Sequence, residues 1–336
     1  MGGIIAVAIS AAQNSPVRNQ DYACETCHRS IALSQSSTAM GKAATRAFDT
    51  QVLKDNPTMQ YVSGLYTYTI RREQDRVTYS VTDGKQTFSA PIVWAFGVGS
   101  IGQTYLYESR GDLYESQVSF YTPIKGLDIT IGHGRLRPTS VEDAAGKRLQ
   151  KQELSRCFEC HTTGAGESLK AGVQCERCHV SAPQHARAAV NRTGPRVTPE
   201  RLSQLSKDGL SDFCGGCHRT FQDIVNNGTI NINNVRSQPY RLATSKCYKA
   251  SQDKRISCVG CHNPHEELVT SAEYYNAKCQ GCHQAGGVSP SAKTCPVSKG
   301  GDCISCHMPR INFPDGHSRF TDHRIRIVRP GADYPE

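Results

Sequence analysis

Between residues 61 and 131 apolar and polar positions alternate, with tyrosine, threonine, valine and isoleucine recurring on one side of the pattern. A two-residue period of this kind belongs to half-buried strands. YVSGLYTYTI, RVTYSV, QTYLYES and DLYESQVSFY each read as strand, and EQD, TDG and SRGD supply turn chemistry between them. An antiparallel sheet of about five to seven strands is expected. The period then lengthens, and Ser140 to Gln152 is predicted to be helical. Ile4 to Ala12 is an apolar run ending in small residues, too short to cross a bilayer. It resembles the end of a signal peptide cleaved after Ala12, although the basic leader is missing, and an ordinary buried strand is the alternative. No other run is long and apolar enough for a membrane helix.

Composition changes this picture. Apolar types make up 37% of the 336 residues, which is lean for a globular chain, while charged residues at 21% and a fair share of aromatics argue against disorder. Something besides side chains is therefore expected to fill part of the interior. The sixteen cysteines supply a candidate. Fourteen form Cys-x-x-Cys pairs: Cys24/Cys27, Cys157/Cys160, Cys175/Cys178, Cys214/Cys217, Cys258/Cys261, Cys279/Cys282 and Cys303/Cys306. Each pair is followed at once by a histidine: His28, His161, His179, His218, His262, His283 and His307. Cys-x-x-Cys-His attaches c-type haem: the thiols form thioethers with the vinyl groups and the histidine ligates the iron. Zinc sites also use paired cysteines but need no histidine after each pair, and a thioredoxin-like role needs one pair in a βαβ unit. Seven covalent haems are expected.

The haems also revise the charge. The formal +9 omits two propionates per group, so seven oxidised haems bring the chain to about +2 and full reduction to about −5. The excess of lysine and arginine is thus no argument for nucleic acid, and many of these side chains are expected to face propionates. Covalent haem attachment is completed outside the bacterial cytoplasm, so a periplasmic or extracellular protein is expected.

The motifs are unevenly spread. A gap of 133 residues separates Cys24 from Cys157, after which first cysteines follow at intervals of 18, 39, 44, 21 and 24. Six haems between Cys157 and His307 leave little room for a side-chain core, so macrocycles must serve as one, with short helices and loops around them. The expected class is α+β: residues 1–12 a signal remnant, 13–55 the first haem segment, 56–138 the β-rich insertion and 139–336 a hexahaem domain. The basic tail from Arg324, with Pro330 and Pro335, is expected over the last haem or on the surface.

Seven irons have fourteen axial positions, of which the motif histidines fill seven. Only His133, His185, His265, His317 and His323 remain, so two positions lack a histidine even if all five ligate. His265 follows His262 by three residues, a reach of about 10 Å, too short to round the same macrocycle; if it ligates, it serves a neighbouring iron. The same holds less tightly for His185 after His179. His317 and His323 can return over other haems. His133 sits between Gly132 and Gly134, which permit close approach to a flat ring, the alternative being a turn histidine bonded to backbone. Met40, twelve residues after His28, is a candidate sixth ligand that would raise that haem's potential; Met59 and Met308 are weaker candidates. Cys247 and Cys295 are left over, and outside the cytoplasm a disulfide between them is expected, with free thiols or a heterodisulfide as the alternatives.

RCFECHTTGA, CERCHVSAPQH, FCGGCHR, CVGCHNPH and CISCHMP, from Arg156 to about Ile327, resemble the multihaem cytochromes related to hydroxylamine oxidoreductase and its tetrahaem partner. The resemblance covers about half of the chain and implies close haem packing, with histidines at the positions of His185 and His265 capping a different haem. It does not fix an activity, because carriers and enzymes share the pattern, and the tyrosine-crosslinked haem of the oxidoreductase matches no tyrosine here. The favoured reading is a non-catalytic electron carrier between redox partner proteins. One alternative is an oxidoreductase acting on a small nitrogen or sulfur compound at an open iron; another is a homo-oligomer or conducting filament in which a second copy supplies a missing ligand.

Overall fold

The computed structural model describes residues 22–134, 137–191, 201–228, 231–283, 295, 301–313, 316–329, 331 and 334. The signal-like run Ile4–Ala12 and the tail prolines Pro330 and Pro335 lie outside the described residues.

The alternating region folds into strands as expected, but into more of them. Thr58–Ser63, Tyr66–Arg72, Val77–Thr82, Thr87–Phe96, Gly102–Ser109, Asp112–Ser116, Val118–Tyr121 and Gly126–Ile129 are β2 to β9; Ala44–Arg46 before them is β1 and Gly146–Arg148 after them is β10. Together they make a ten-stranded antiparallel sheet in the order β10-β7-β6-β5-β4-β3-β2, with β1 against β5 and β8 between β6 and β9. YVSGLYTYTI is two strands, broken at Gly64, where φ is 59°. DLYESQVSFY breaks at Gln117, whose N–H leaves the ladder and donates to the Ala145 carbonyl at 2.9 Å.

Ser140 to Gln152 is not one helix. Ser140 Oγ accepts from the Asp143 N–H at 3.1 Å and caps a short helix, Val141–Ala145. Gly146 then turns into β10 with φ of 145°, where a side chain would approach the Glu115 carbonyl to 2.0 Å. Gln150 and Glu153 form a capping box that starts the helix Lys151–His161.

One face of the sheet buries Ile70, Val77, Tyr79, Val81, Tyr105 and Tyr107, closed by the helix Val141–Ala145, to which the Tyr79 hydroxyl donates at 2.9 Å (Ala145 carbonyl). The other face buries Ala44, Trp94, Phe96 and Leu106 against Leu154, Cys157 and Phe158 of the helix Lys151–His161. Thus the sheet holds the second haem motif directly.

Beyond residue 150 the fold is short helices plus two small hairpins, Thr162–Thr163 with Lys170–Ala171 and Arg310–Phe313 with Ser318–Thr321. Of the thirty buried apolar residues among those described, twenty-four lie between Ala44 and Ala145 and six beyond. The fold is α+β, and among the described residues its C-terminal half forms no apolar side-chain core of its own.

Candidate haem-binding sites

All seven motifs are built on helical turns: Tyr22–Ser37, Lys151–His161, Cys175–Cys178, Lys207–His218, Cys258–Cys261, Ala272–His283 and Cys303–His307. Residues three apart in a helix share a face, so each turn presents both thiols to one edge of a flat group. Thiols of different motifs also become neighbours. Cys160 lies within hydrogen-bonding reach of Cys217, Cys214 of Cys258, and Cys279 of Cys303. Cys178 is close to Cys217, and Cys261 to Cys279.

Among the motif cysteines outside these thiol pairs, Cys27, Cys282 and Cys306 differ in their surroundings. Each is the second cysteine of its motif. Cys27 and Cys306 are exposed, whereas the other motif cysteines are partly buried. Cys306 Sγ accepts from Ser305 Oγ at 3.8 Å, a contact within its own turn. Cys282 is half-buried near Cys247 and Arg255. The physical reason is that the helical turn fixes only which way a thiol points. How much protein surrounds it depends on the elements packed against that turn, and these differ from motif to motif. The case for Cys27, Cys282 and Cys306 as haem-attaching residues therefore rests on their spacing from Cys24, Cys279 and Cys303, not on their surroundings.

The histidines fall into a pattern that explains the missing core. The rings of His28 and His185 stand 6.4 Å apart between centroids, those of His179 and His265 6.0 Å, and those of His262 and His323 6.2 Å. Direct stacking would bring rings much closer. An iron at about 2.0 Å from a nitrogen on each side, with each nitrogen about 1.2 Å from its ring centre, sets two axial imidazoles about 6.4 Å apart. All three pairs match that spacing. Each joins a motif histidine to a spare one. His185, on the segment after the third motif, faces the first motif, and His265 faces the third rather than its neighbour His262.

The ring nitrogens are oriented for ligation. His161 Nδ1 donates to the Ala43 carbonyl at 3.0 Å, His307 Nδ1 to the Arg326 carbonyl at 2.9 Å and His323 Nδ1 to the Thr321 carbonyl at 3.0 Å. A carbonyl only accepts, so Nδ1 carries the hydrogen and Nε2 keeps the lone pair an iron needs. Burial lowers the pKa of His161, His218, His262 and His265, and brings that of His323 to about 4. These imidazoles are neutral at pH 7, the form that binds metal. His323 nonetheless keeps part of its surface open, as a side chain does when it lines an internal space. Ile31, Leu33, Val180 and Phe213, all next to motifs, are exposed apolar side chains in want of a cover. Opposed imidazoles, paired thiols and uncovered apolar rims together fit haem.

Other candidates are used differently. His133 is buried in the sheet, with Nδ1 3.1 Å from Gln117 Oε1 and Nε2 2.8 Å from Glu115 Oε2. With both nitrogens facing oxygens it offers none to an iron, contrary to the expectation from its flanking glycines; Glu115 and Gln117 decide the matter. His317 Nε2 lies 2.7 Å from Asp128 Oδ2, with its ring edge-on to Tyr121 at 5.2 Å, and ties the C-terminal hairpin to the sheet. Met59 is packed in the sheet core. Met40 lies in the loop that meets the third motif: its carbonyl accepts from the Val173 N–H at 3.0 Å, and a side chain at Gly172 would come within 1.8 Å of the Gly41 carbonyl. The ring standing opposite that of His28 is His185. Cys247 and Cys295 carry free thiols, so the expected disulfide is not formed in the structure.

Two features had no signal in the sequence. Arg241 and Asp322 form a fully buried bidentate pair at 2.8 and 2.9 Å, fixing the residue next to His323. Tyr275 bonds to His262 through its hydroxyl, 3.2 Å from Nδ1.

No family model matches the chain, and no solved structure matches it. Among curated proteins it is similar to "Multiheme cytochrome MtrA" of Shewanella baltica (strain OS185), with 27% identity over 204 residues that cover 44% of this chain and 60% of the relative. The chain thus spans less than two thirds of that relative's length. The likeness supports a multihaem c-type cytochrome with covalently bound haem, and with it electron transfer as the class of function. It carries nothing for the hydroxylamine oxidoreductase group in particular. No helix among the described residues is long and apolar enough to cross a membrane.

Proposed function

We propose that the chain binds seven haems c and carries electrons between redox partner proteins outside the cytoplasm. The observation that carries this reading is the set of three opposed histidine pairs at 6.0–6.4 Å. Histidine on both faces saturates an iron, which suits conduction and excludes substrate from that metal. When bound, the haems supply irons that cycle between ferric and ferrous states. The chain's own residues do the rest. Seven motif histidines and His185, His265 and His323 hold imidazole nitrogens in place. Fourteen cysteines, Cys27, Cys282 and Cys306 among them, fix the macrocycles in register. Neighbouring thiols link the attachment points of motifs two, three, four, five, six and seven into one continuous set, and His185 brings in the first.

A second reading has one observation in its favour. Three of the five spare histidines enter pairs, while His133 and His317 are held by carboxylates of the sheet. Fewer than seven irons then have a histidine on each face, which leaves room for one open to a small nitrogen or sulfur compound. Low-temperature EPR of the oxidised protein, with cyanide, nitrite and hydroxylamine added in turn, separates the two. Low-spin bis-histidine signals that ignore every addition, with no high-spin signal that any of them converts, are the carrier's result. A high-spin signal that one of these ligands converts is the enzyme's, and absence of any low-spin bis-histidine signal would defeat the carrier.

A further inference from the structure

We infer that Tyr275 sets the redox potential of the iron held by His262, through a phenol–imidazole hydrogen bond used at none of the three axial histidines whose Nδ1 partner is a backbone carbonyl. The inference rests on the ligation proposed above and goes beyond it by assigning a tuning residue.

One hydrogen atom decides the direction of the bond between Tyr275 and His262. The Tyr275 hydroxyl has a single proton and lies 2.8 Å from the Val269 carbonyl, which can only accept. That proton is therefore committed to Val269. The same oxygen lies 3.2 Å from His262 Nδ1, so it receives the Nδ1 hydrogen and Nε2 is left as the ligating atom. His161, His307 and His323 give the corresponding hydrogen to backbone carbonyls at 3.0, 2.9 and 3.0 Å.

An acceptor at Nδ1 makes the imidazole a better electron donor to its metal. A peptide carbonyl is a stronger acceptor than a neutral phenol oxygen, and the bond at His262 is also the longest of the four. His262 thus donates less to its iron, and the ferric state there gains less stabilisation. Across from it, His323 keeps a carbonyl partner, so the asymmetry comes from the Tyr275 side alone. The Tyr275 ring stands 62° to that of His262 at 5.5 Å and 89° to that of Tyr274 at 5.1 Å, so its neighbours hold the phenol in place.

The test is Tyr275→Phe in the full seven-haem protein, read by spectroelectrochemical titration, with Tyr274→Phe as the control for loss of a nearby hydroxyl. Haem content is measured first by pyridine haemochrome on the unmodified protein and both variants. Tyr275→Phe leaves His262 Nδ1 without its acceptor. One haem of the set is expected to become easier to reduce, with its reduced-to-oxidised ratio at fixed potential rising about three- to tenfold, tenfold being 59 mV for one electron. The other haems and the whole Tyr274→Phe titration are expected to stay put. Seven haems with no shifted potential in Tyr275→Phe would overturn the inference and leave the ligation intact, as would loss of one haem, which would mark Tyr275 as a packing residue. Unmodified protein with fewer than seven haems would instead strike the underlying reading.

Discussion

Replacing Arg241 by methionine is expected to destabilise the protein by about 3 kcal/mol, the lower end of the range for breaking a buried ion pair. Both partners are wholly shielded from solvent. Asp322 receives two charge-assisted bonds from Arg241, at 2.8 and 2.9 Å, and loses both in the variant. Its remaining partners are the Arg324 N–H at 2.9 Å and the partly exposed Arg326 guanidinium, which soften the loss without abolishing it. Chemical denaturation followed by far-UV circular dichroism at pH 7 gives the number, with unchanged m showing that the unfolded state is the same. The double variant Arg241→Met, Asp322→Leu removes the stranded charge and is expected to recover most of the loss. The pH dependence has a definite sign. Burial pushes the Asp322 pKa up, but the Arg241 bond, the Arg324 N–H and the charges of Arg241 and Arg326 outweigh it, so the folded value is below the usual one. A depressed carboxylate stabilises above its unfolded pKa of about 3.9 and loses that contribution as pH falls through the folded value. The native protein should therefore lose stability in acid over a window that the double variant lacks. A loss under about 1 kcal/mol in Arg241→Met, or a double variant no better than the single, would refute the reasoning.

Other outcomes follow from the same geometry. His185→Ala, His265→Ala and His323→Ala are each expected to convert one low-spin iron to high spin in EPR, whereas His133→Ala leaves the spin states alone and costs about 1–3 kcal/mol by stranding Glu115 and Gln117 in denaturation experiments. The paired rings are 32°, 14° and 42° apart, so these irons should give rhombic low-spin spectra, and signals of the perpendicular-ligand type from all of them would contradict the pairing. A thiol count on denatured, unreduced protein is expected to find two groups, Cys247 and Cys295. Finding none would restore the disulfide, and finding more would point first to Cys27 and Cys306, the exposed motif cysteines, as unattached. Phe158→Ala, which removes edge-on contacts to Trp94 at 5.3 Å and Phe96 at 5.4 Å, is expected to cost about 3 kcal/mol and to loosen the second motif, visible as lost stability in the same denaturation assay.

The haem motifs were legible because a covalent signature is local, five residues carrying the whole message. The signature is silent on how deeply each thiol lies, which is why the exposure of Cys27 and Cys306 and the setting of Cys282 could not be read from it. Chain reach excluded His265 from the iron beside His262, and the structure sets it against His179, a partner that no spacing rule names. The sheet was legible where alternation was clean. None of the expected strand segments covers β5, which contains Pro91, the last residue paired with β4, just before the register shift between Ile92 and Trp94 where the strand turns to β6. β1 and β10 are three residues each and owe their form to the neighbours they pair with, which no local pattern records. His133 misled because flanking glycines report backbone freedom, while its role depends on Glu115 and Gln117. The Arg241–Asp322 pair spans 81 positions, a separation that no local pattern records.

The central claim is that macrocycles, held by paired thioethers and opposed histidines, form the interior the C-terminal half lacks. Intact mass spectrometry of the acid-denatured protein tests it most directly, since only covalent groups survive. The account predicts the mass of the polypeptide, allowing for N-terminal processing, plus seven haems. A mass equal to the bare chain, 36.8 kDa before processing, would contradict it.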